Sequence, residues 1–118
     1  MKADFKFKEL DLEERKKEAS KILNQYPNRV PIICEPEPNS NLPLNKNRYI
    51  LPNDMTVNQF IFLIRKKIDL NDKYAIFLIT TKNVTLSGDI SLKEVYNTYK
   101  DKQDNFLYIY CASEMIWG

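Results

Sequence analysis

Few residue types in this chain could do chemistry, and one of them stands at its end. There is no histidine among the 118 residues, which removes the commonest general base and the commonest metal ligand. Triads of the Ser-His-Asp or Cys-His kind are therefore excluded within the chain. The two cysteines, Cys34 and Cys111, match neither a C-x-x-C pair nor a zinc-ligand spacing. Each sits in an apolar run, where a cysteine reads as a small core hydrophobe, and such thiols suit a reducing compartment. The adjacent carboxylates Glu13 and Glu14 lie in a charged stretch that reads as a solvated helix face. The expectation is a protein that is not an enzyme and that carries no metal and no cofactor. What remains is Gly118, a terminal carboxylate with no Cβ beside it. Such a thin tail suits the narrow channels in which a carboxylate is adenylated, passed to a cysteine thiol and attacked by an amine. A terminal glycine alone decides little, since about one chain in fifteen would end so by composition.

The elements around that terminus must carry the rest of the case. The length fits one domain, and 43% hydrophobic with 29% charged residues fits a folded, soluble one. A net charge of +2 is too small to make the whole protein a nucleic-acid binder, and no nucleic-acid partner is expected. The start, MKADFKFKELDLEERKK, has no apolar stretch of the secretory kind. No apolar run approaches the roughly 18 residues of a membrane span, so attachment to a membrane would need a covalent lipid or a partner. Phe5 and Phe7 in the lysine-rich start either touch a membrane or another protomer, or pack back on the fold.

Periodicity predicts a short helical turn near Asp4–Glu9 and a helix from Leu12 to Gln25, with Asp11 and Glu14 as a capping box and Pro27 as its stop. A strand is predicted over Arg29–Glu35, irregular or near an edge because Pro31 lacks an N–H. The stretch EPEPNSNLPLNKN reads as a loop, and Asn47–Leu51 as a second strand closed by Pro52. Thr56 and Gln59 form a capping box for a helix, VNQFIFLIRKKI, apolar nearly all round and so expected to be mostly covered. A strand at Ala75–Thr80, a hairpin-like stretch through Asn83 and Gly88, a helix from Ser91 to about Tyr99 and a central strand Phe106–Cys111 follow. The order predicts an α+β fold of the ubiquitin-like β-grasp type with an N-terminal helical extension. The extension is read over 1–26 and the ubiquitin-like part with its C-terminal tail over 27–118, in one compact whole.

Three blocks sharpen this reading: YPNRVPIICE at Tyr26–Glu35, RYILPNDMTVNQFIFLIRKKI at Arg48–Ile68, and FLYIYCASEMIWG at Phe106–Gly118. Together they resemble the ubiquitin-like autophagy modifiers, the GABA-receptor-associated proteins among them, over essentially the whole chain. The chain departs from that family at Thr80–Ile90, where relatives carry Val-Asn-Asn and a proline turn. It also has Trp117 where they mostly have Phe or Tyr before the glycine.

The resemblance implies conjugation of Gly118 to phosphatidylethanolamine by activating and conjugating enzymes, with a cysteine protease that processes and deconjugates. It implies a cytoplasmic protein that joins autophagosomal membranes when lipidated, and two acyl chains anchor far better than one. It also implies binding of short aromatic-x-x-aliphatic motifs of cargo receptors and autophagy proteins along the strand Asn47–Leu51, by strand addition. The aromatic pocket would be lined by Glu18, Ile22, Pro31, Ile33, Arg48, Ile50 and Phe106. The aliphatic pocket would use Tyr49, Leu51, Pro52, Met55, Phe60, Leu63 and Ile64. Arg29, Lys46, Arg48, Arg65 and Lys67 would form a basic rim for acidic flanks. From pattern, the adjacent apolar pairs Ile22–Leu23, Ile33–Cys34 and Leu63–Ile64 exceed what one buried face absorbs, so one member of each is expected at a surface; ordinary core is the plain alternative. Two other readings stay open: a modifier joined to proteins rather than lipid, and a peptide-binding adaptor with no conjugation.

Overall fold

The computed structural model describes residues 4–40 and 42–115. After a short 3-10 helix, Lys6–Glu9, come α1 (Leu12–Gln25), β1 (Arg29–Pro36), β2 (Arg48–Pro52), α2 (Val57–Ile68), β3 (Tyr74–Thr80), α3 (Leu92–Tyr99) and β4 (Leu107–Met115). The sheet runs β2-β1-β4-β3, with β1 and β4 parallel and the outer pairs antiparallel. This is the ubiquitin-like arrangement: a hairpin, a crossing helix, and a last strand threaded into the centre.

Local chemistry sets the element ends. At α2 the Thr56 hydroxyl accepts the Gln59 N–H while the Gln59 side chain accepts the Thr56 N–H, a complete capping box. The helix stops at Asp69, which turns left-handed. At α3 the Ser91 hydroxyl accepts the Glu94 N–H. The box expected at α1 does not form, since the Asp11 side chain caps no N–H. Glu13 and Glu14 still occupy its first turn, where the helix dipole favours negative charge. Asn83 takes the left-handed conformation that reverses the chain after β3, and Thr80 N–H then meets the Val84 carbonyl.

Both faces of the sheet are covered, and this overturns the argument from adjacent apolar pairs at Ile33–Cys34, whereas Leu23 and Leu63 are each half-buried beside a buried neighbour. Ile32, Cys34, Leu107, Ile109 and Cys111 point to one face, beneath α2 and α3. Ile33, Phe106, Tyr108 and Tyr110 point to the other, beneath α1 and the 3-10 helix, with Phe5, Phe7, Ala19 and Ile22. Side chains alternate along a strand, so Ile33 and Cys34 enter different cores and neither is left at the surface. Phe5 and Phe7 pack back on the sheet: Phe5 stacks on Tyr110 with ring centroids 4.2 Å apart, and Phe7 meets Phe106 edge-on at 4.9 Å. Both cysteines are free and buried, as the core reading of them expected.

Two further expectations are corrected. Pro31 does not place β1 at an edge, because β1 has partners on both sides. Cys34 N–H bonds to the Asn47 carbonyl on the β2 side, so by alternation the Pro31 nitrogen faces β4. The ladder with β4 begins only at Ile32, so no bond is lost there. Nor is α2 covered all round. Phe62 is 60% exposed on its outer face, with the Lys66 ammonium 4.7 Å from its ring centroid.

The buried tyrosines predict alkaline sensitivity. Burial, then the nearby Cys34 and Cys111, push the Tyr49 phenol up to about 12. Burial and its bond to the Asp104 carboxylate raise Tyr108 as well. Unfolded phenols ionise near about pH 10, so above that the unfolded chain binds fewer protons than the folded one and stability falls as pH rises. Denaturant midpoints are expected to hold up to about pH 10 and then to drop through the folded Tyr49 value. A midpoint unchanged well above that point contradicts the burial argument.

Candidate functional site

Of the two sheet edges, one is closed. On β3 the Arg65 Nη2 donates to the Tyr74 carbonyl at 2.6 Å, Leu86 N–H bonds to Leu78 O, and Thr80 N–H to Val84 O. A side chain and the returning chain thus occupy most of that edge. The β2 edge is different. Asn47 is bonded to Cys34, and the register sets Tyr49 against Ile32 and Leu51 against Val30. By alternation, Arg48 and Ile50 turn their N–H and C=O groups outward. Among the described residues the Ile50 carbonyl meets only the exposed Arg29 Nη1, at 3.4 Å. An extended peptide laid against β2 finds alternating donors and acceptors there.

The same alternation sorts the side chains. Arg48 and Ile50 lean toward α1, while Tyr49 and Leu51 lean toward α2. On the α1 side a groove of about 850 Å³ is lined by Glu18, Ile22, Arg48 and Ile50, joined by Glu14, Lys17, Lys21 and Tyr26. Pro31, Ile33 and Phe106 are buried, Ile33 and Phe106 in the core cluster shared with Ile22. Arg48 Nη1 lies 2.6 Å from Glu18 Oε1 across the groove. Such a half-exposed pair adds little stability, but it sets where the guanidinium stands.

On the α2 side Tyr49, Leu51, Phe60 and Ile64 are buried, while Pro52, Met55 and Leu63 are half-buried against them. A smaller cleft of about 260 Å³, lined by Pro43, Leu44, Tyr49, Lys46, Lys67 and Ile68, lies beside β2. Lys46 Nζ sits 5.0 Å from the Tyr49 ring centroid. The expected rim is divided. Arg29, Lys46, Arg48 and Lys67 are exposed around β2, whereas Arg65 is half-buried and committed to the β3 edge. Gly118 lies outside the described residues, as does Trp117.

These observations can be set beside known proteins. A family model described as "Autophagy protein Atg8 ubiquitin like" matches residues 14–118. The chain belongs to the Atg8 family. It is 42% identical to Autophagy-related protein 8 of Candida glabrata, over 100% of this chain and 98% of that one. It is 38% identical to Autophagy-related protein 8D of Oryza sativa over 93% of each. The crystal structure of Trypanosoma brucei ATG8 superposes with a TM-score of 0.89 at 34% identity, covering 98% of this chain and all of the other. The expected fold class and the resemblance are thus borne out, and with them the place of the protein among autophagy-related ubiquitin-like proteins.

Within this Atg8 fold the sequence reading missed part of the groove. Glu14 and Lys17, Lys21 and Tyr26 line it because α1 packs on β1, next to β2, and turns one stripe toward Arg48 and Ile50. The signal was present: Glu14, Glu18 and Ile22 recur every four residues and so share one helix stripe with the residues already named. Phe7, below Arg48 with the guanidinium carbon 5.4 Å from the ring centroid, was missed for a different reason. Nothing in the pattern says which face of the sheet the N-terminal segment will meet. Among the described residues no helix is long and apolar enough to cross a membrane.

Proposed function

We propose that this Atg8-family protein is a conjugation substrate and peptide binder rather than a catalyst. Gly118 is joined to the amine of phosphatidylethanolamine on autophagic membranes, and the β2 edge recruits cargo receptors and autophagy proteins through aromatic-x-x-aliphatic motifs. The observation that carries the binding half is the outward-facing backbone of Arg48 and Ile50 beside the α1-side groove, with Pro52, Met55 and Leu63 half-buried on the other face. In an extended strand, residues three apart point to opposite sides. An aromatic residue at the first motif position therefore turns toward Glu18, Ile22, Arg48 and Ile50, and the aliphatic one toward Pro52, Met55 and Leu63. Pro31, Ile33 and Phe106 support the aromatic pocket from beneath, as Tyr49, Leu51, Phe60 and Ile64 support the aliphatic one. Arg29, Lys46 and Lys67 steer acidic flanks.

The test is titration of the full chain with a labelled peptide carrying a tryptophan-x-x-leucine core and acidic flanks. Ile33 and Leu51 are too buried to replace with a carboxylate and keep the fold. Ile50→Ala and Leu63→Ala, both half-buried, are the informative variants. Micromolar binding is expected, weakened about tenfold by each truncation, as for a contact worth roughly 1–2 kcal/mol. A wild type that is folded but does not bind, or variants that bind as well as it does, would overturn the proposal.

A further inference from the structure

The peptide edge and the N-terminal segment are built on the same side chains. Lys6 and Phe7 donate their backbone N–H groups to Glu35, at 2.7 Å to Oε1 and 3.0 Å to Oε2. Glu35 is buried in β1, and its Oε2 also accepts from Asn47 Nδ2 at 3.4 Å. Asn47 is the residue before Arg48. Phe7 is 4% exposed and presents its ring to the Arg48 guanidinium at 5.4 Å, while Glu18 holds Arg48 from the α1 side. One carboxylate thus ties the 3-10 helix to the start of β2, and one ring helps fix the side chain at the mouth of the aromatic groove.

Resting on the peptide-binding reading above, we propose that docking of the segment Phe5–Glu9 and capture of a peptide at β2 are positively coupled, with Phe7 positioning Arg48. An exposed arginine samples many rotamers, and binding that must order it loses affinity. The Phe7 face and Glu18 remove that cost beforehand by holding the guanidinium where its stem walls the groove. Coupling between two sites is reciprocal. A peptide that packs against Arg48 must therefore hold the segment down as strongly as the docked segment favours the peptide. The segment is held by the two Glu35 bonds, by burial of Phe5 and Phe7 against Tyr108, Tyr110 and Phe106, and by the Lys8–Asp101 pair at 3.2 Å, so only a membrane or partner that offers both rings an equivalent apolar site would release it.

Two measurements on the full chain test this, both with the tryptophan-x-x-leucine peptide and its acidic flanks. The first is a double-mutant cycle of Phe7→Leu and Arg48→Met, read as peptide Kd. Leucine keeps the apolar burial and loses the ring face, so Phe7→Leu is expected to weaken binding about two- to fivefold, the range of an exposed cation–π contact. In the Arg48→Met background it should have no further effect. A merely structural role for Phe7 would give the same loss in both backgrounds. The second is hydrogen exchange at the Lys6 and Phe7 amides, expected to slow when peptide binds. Equal losses in both backgrounds, a Phe7→Leu chain that binds as wild type, or exchange indifferent to peptide would each overturn the coupling and leave the peptide site standing. A wild type that binds no peptide would overturn both.

Discussion

Asp104→Ala should cost about 3–5 kcal/mol, the loss typical of removing one partner of a buried ion pair. Asp104 is 1% exposed. Its Oδ1 accepts the Phe106 N–H at 2.8 Å, its Oδ2 accepts the Tyr108 hydroxyl, and Arg15 Nε lies 3.5 Å from Oδ2. Arg15 is itself buried on α1, and its Nε and Nη1 have no hydrogen-bond partner among the described residues. Alanine at 104 would therefore strand a buried guanidinium, a phenol and a backbone N–H at once. Charge, not packing, is the heart of the loss, and this separates the two causes. Adding Arg15→Met to Asp104→Ala should recover much of it, because an apolar pair of similar volume replaces a buried ion pair at little cost. Denaturant midpoints and slopes of the three variants give the answer. A loss under about 1 kcal/mol for Asp104→Ala would mean that Arg15 escapes to solvent and that α1 is held by Ala19 and Ile22 alone.

That cluster was not legible in the sequence, and the reason is general. Arg15 falls in a run of charges, LEERKKE, that reads as a solvated face. Only the position of β4 behind α1 makes its stripe a buried one. What could be read was local. Pro27 and the Thr56–Gln59 pair bound α1 and α2, and the apolar run FLYIYC announced a strand covered on both sides. The same clue was misused at Ile33–Cys34. Two covered faces for β4 require two covered faces for its neighbour β1, so the pair needed no surface. The groove was legible in part for a related reason. Arg48 and Ile50 alternate with Tyr49 and Leu51, which fixes their sides. Whether Lys17, Lys21 or Phe7 lies near them depends on how α1 and the 3-10 helix cross the sheet, and periodicity does not contain that angle.

Arg65 shows how the fold makes one edge available and not the other. The sequence places it in a basic rim with Arg29, Lys46, Arg48 and Lys67. One residue, about 100° around the helix, turns it away from Ile64, and its guanidinium closes the Tyr74 carbonyl on β3. A chain with two open edges would invite self-association. With most of the β3 edge occupied, the strand addition proposed above is confined to β2.

Gly118→Ala should abolish the lipid adduct while leaving peptide binding intact. β4 passes from buried Cys111 through half-buried Ala112 and Ser113 to exposed Glu114 and Met115, which still pair with Ala75 and Tyr74 of β3. The proposed chemistry then runs on the terminal carboxylate alone. ATP adenylates it with release of pyrophosphate, a cysteine of the conjugating machinery displaces AMP, and the lipid amine displaces the thiol to give an amide. Neither thiol of this chain is available for that work, since Cys34 and Cys111 are fully buried, and the hydrogen bond with the Cys111 thiol, then burial, raises Cys34. An added Cβ at 118 stands next to the reacting carbon in every one of these steps, which is why one methyl group should matter so much. The assay uses the activating and conjugating enzymes of the family, ATP, and vesicles rich in phosphatidylethanolamine, with the product weighed by mass spectrometry. A lipid amide on the wild type and none on Gly118→Ala supports the proposal. An isopeptide to a lysine would move the protein among modifiers of other proteins, and no adduct on a wild type that binds peptide would make it a plain adaptor. The peptide titration separates these outcomes from a misfolded variant, because Gly118→Ala changes no residue of β2 and should bind as the wild type does.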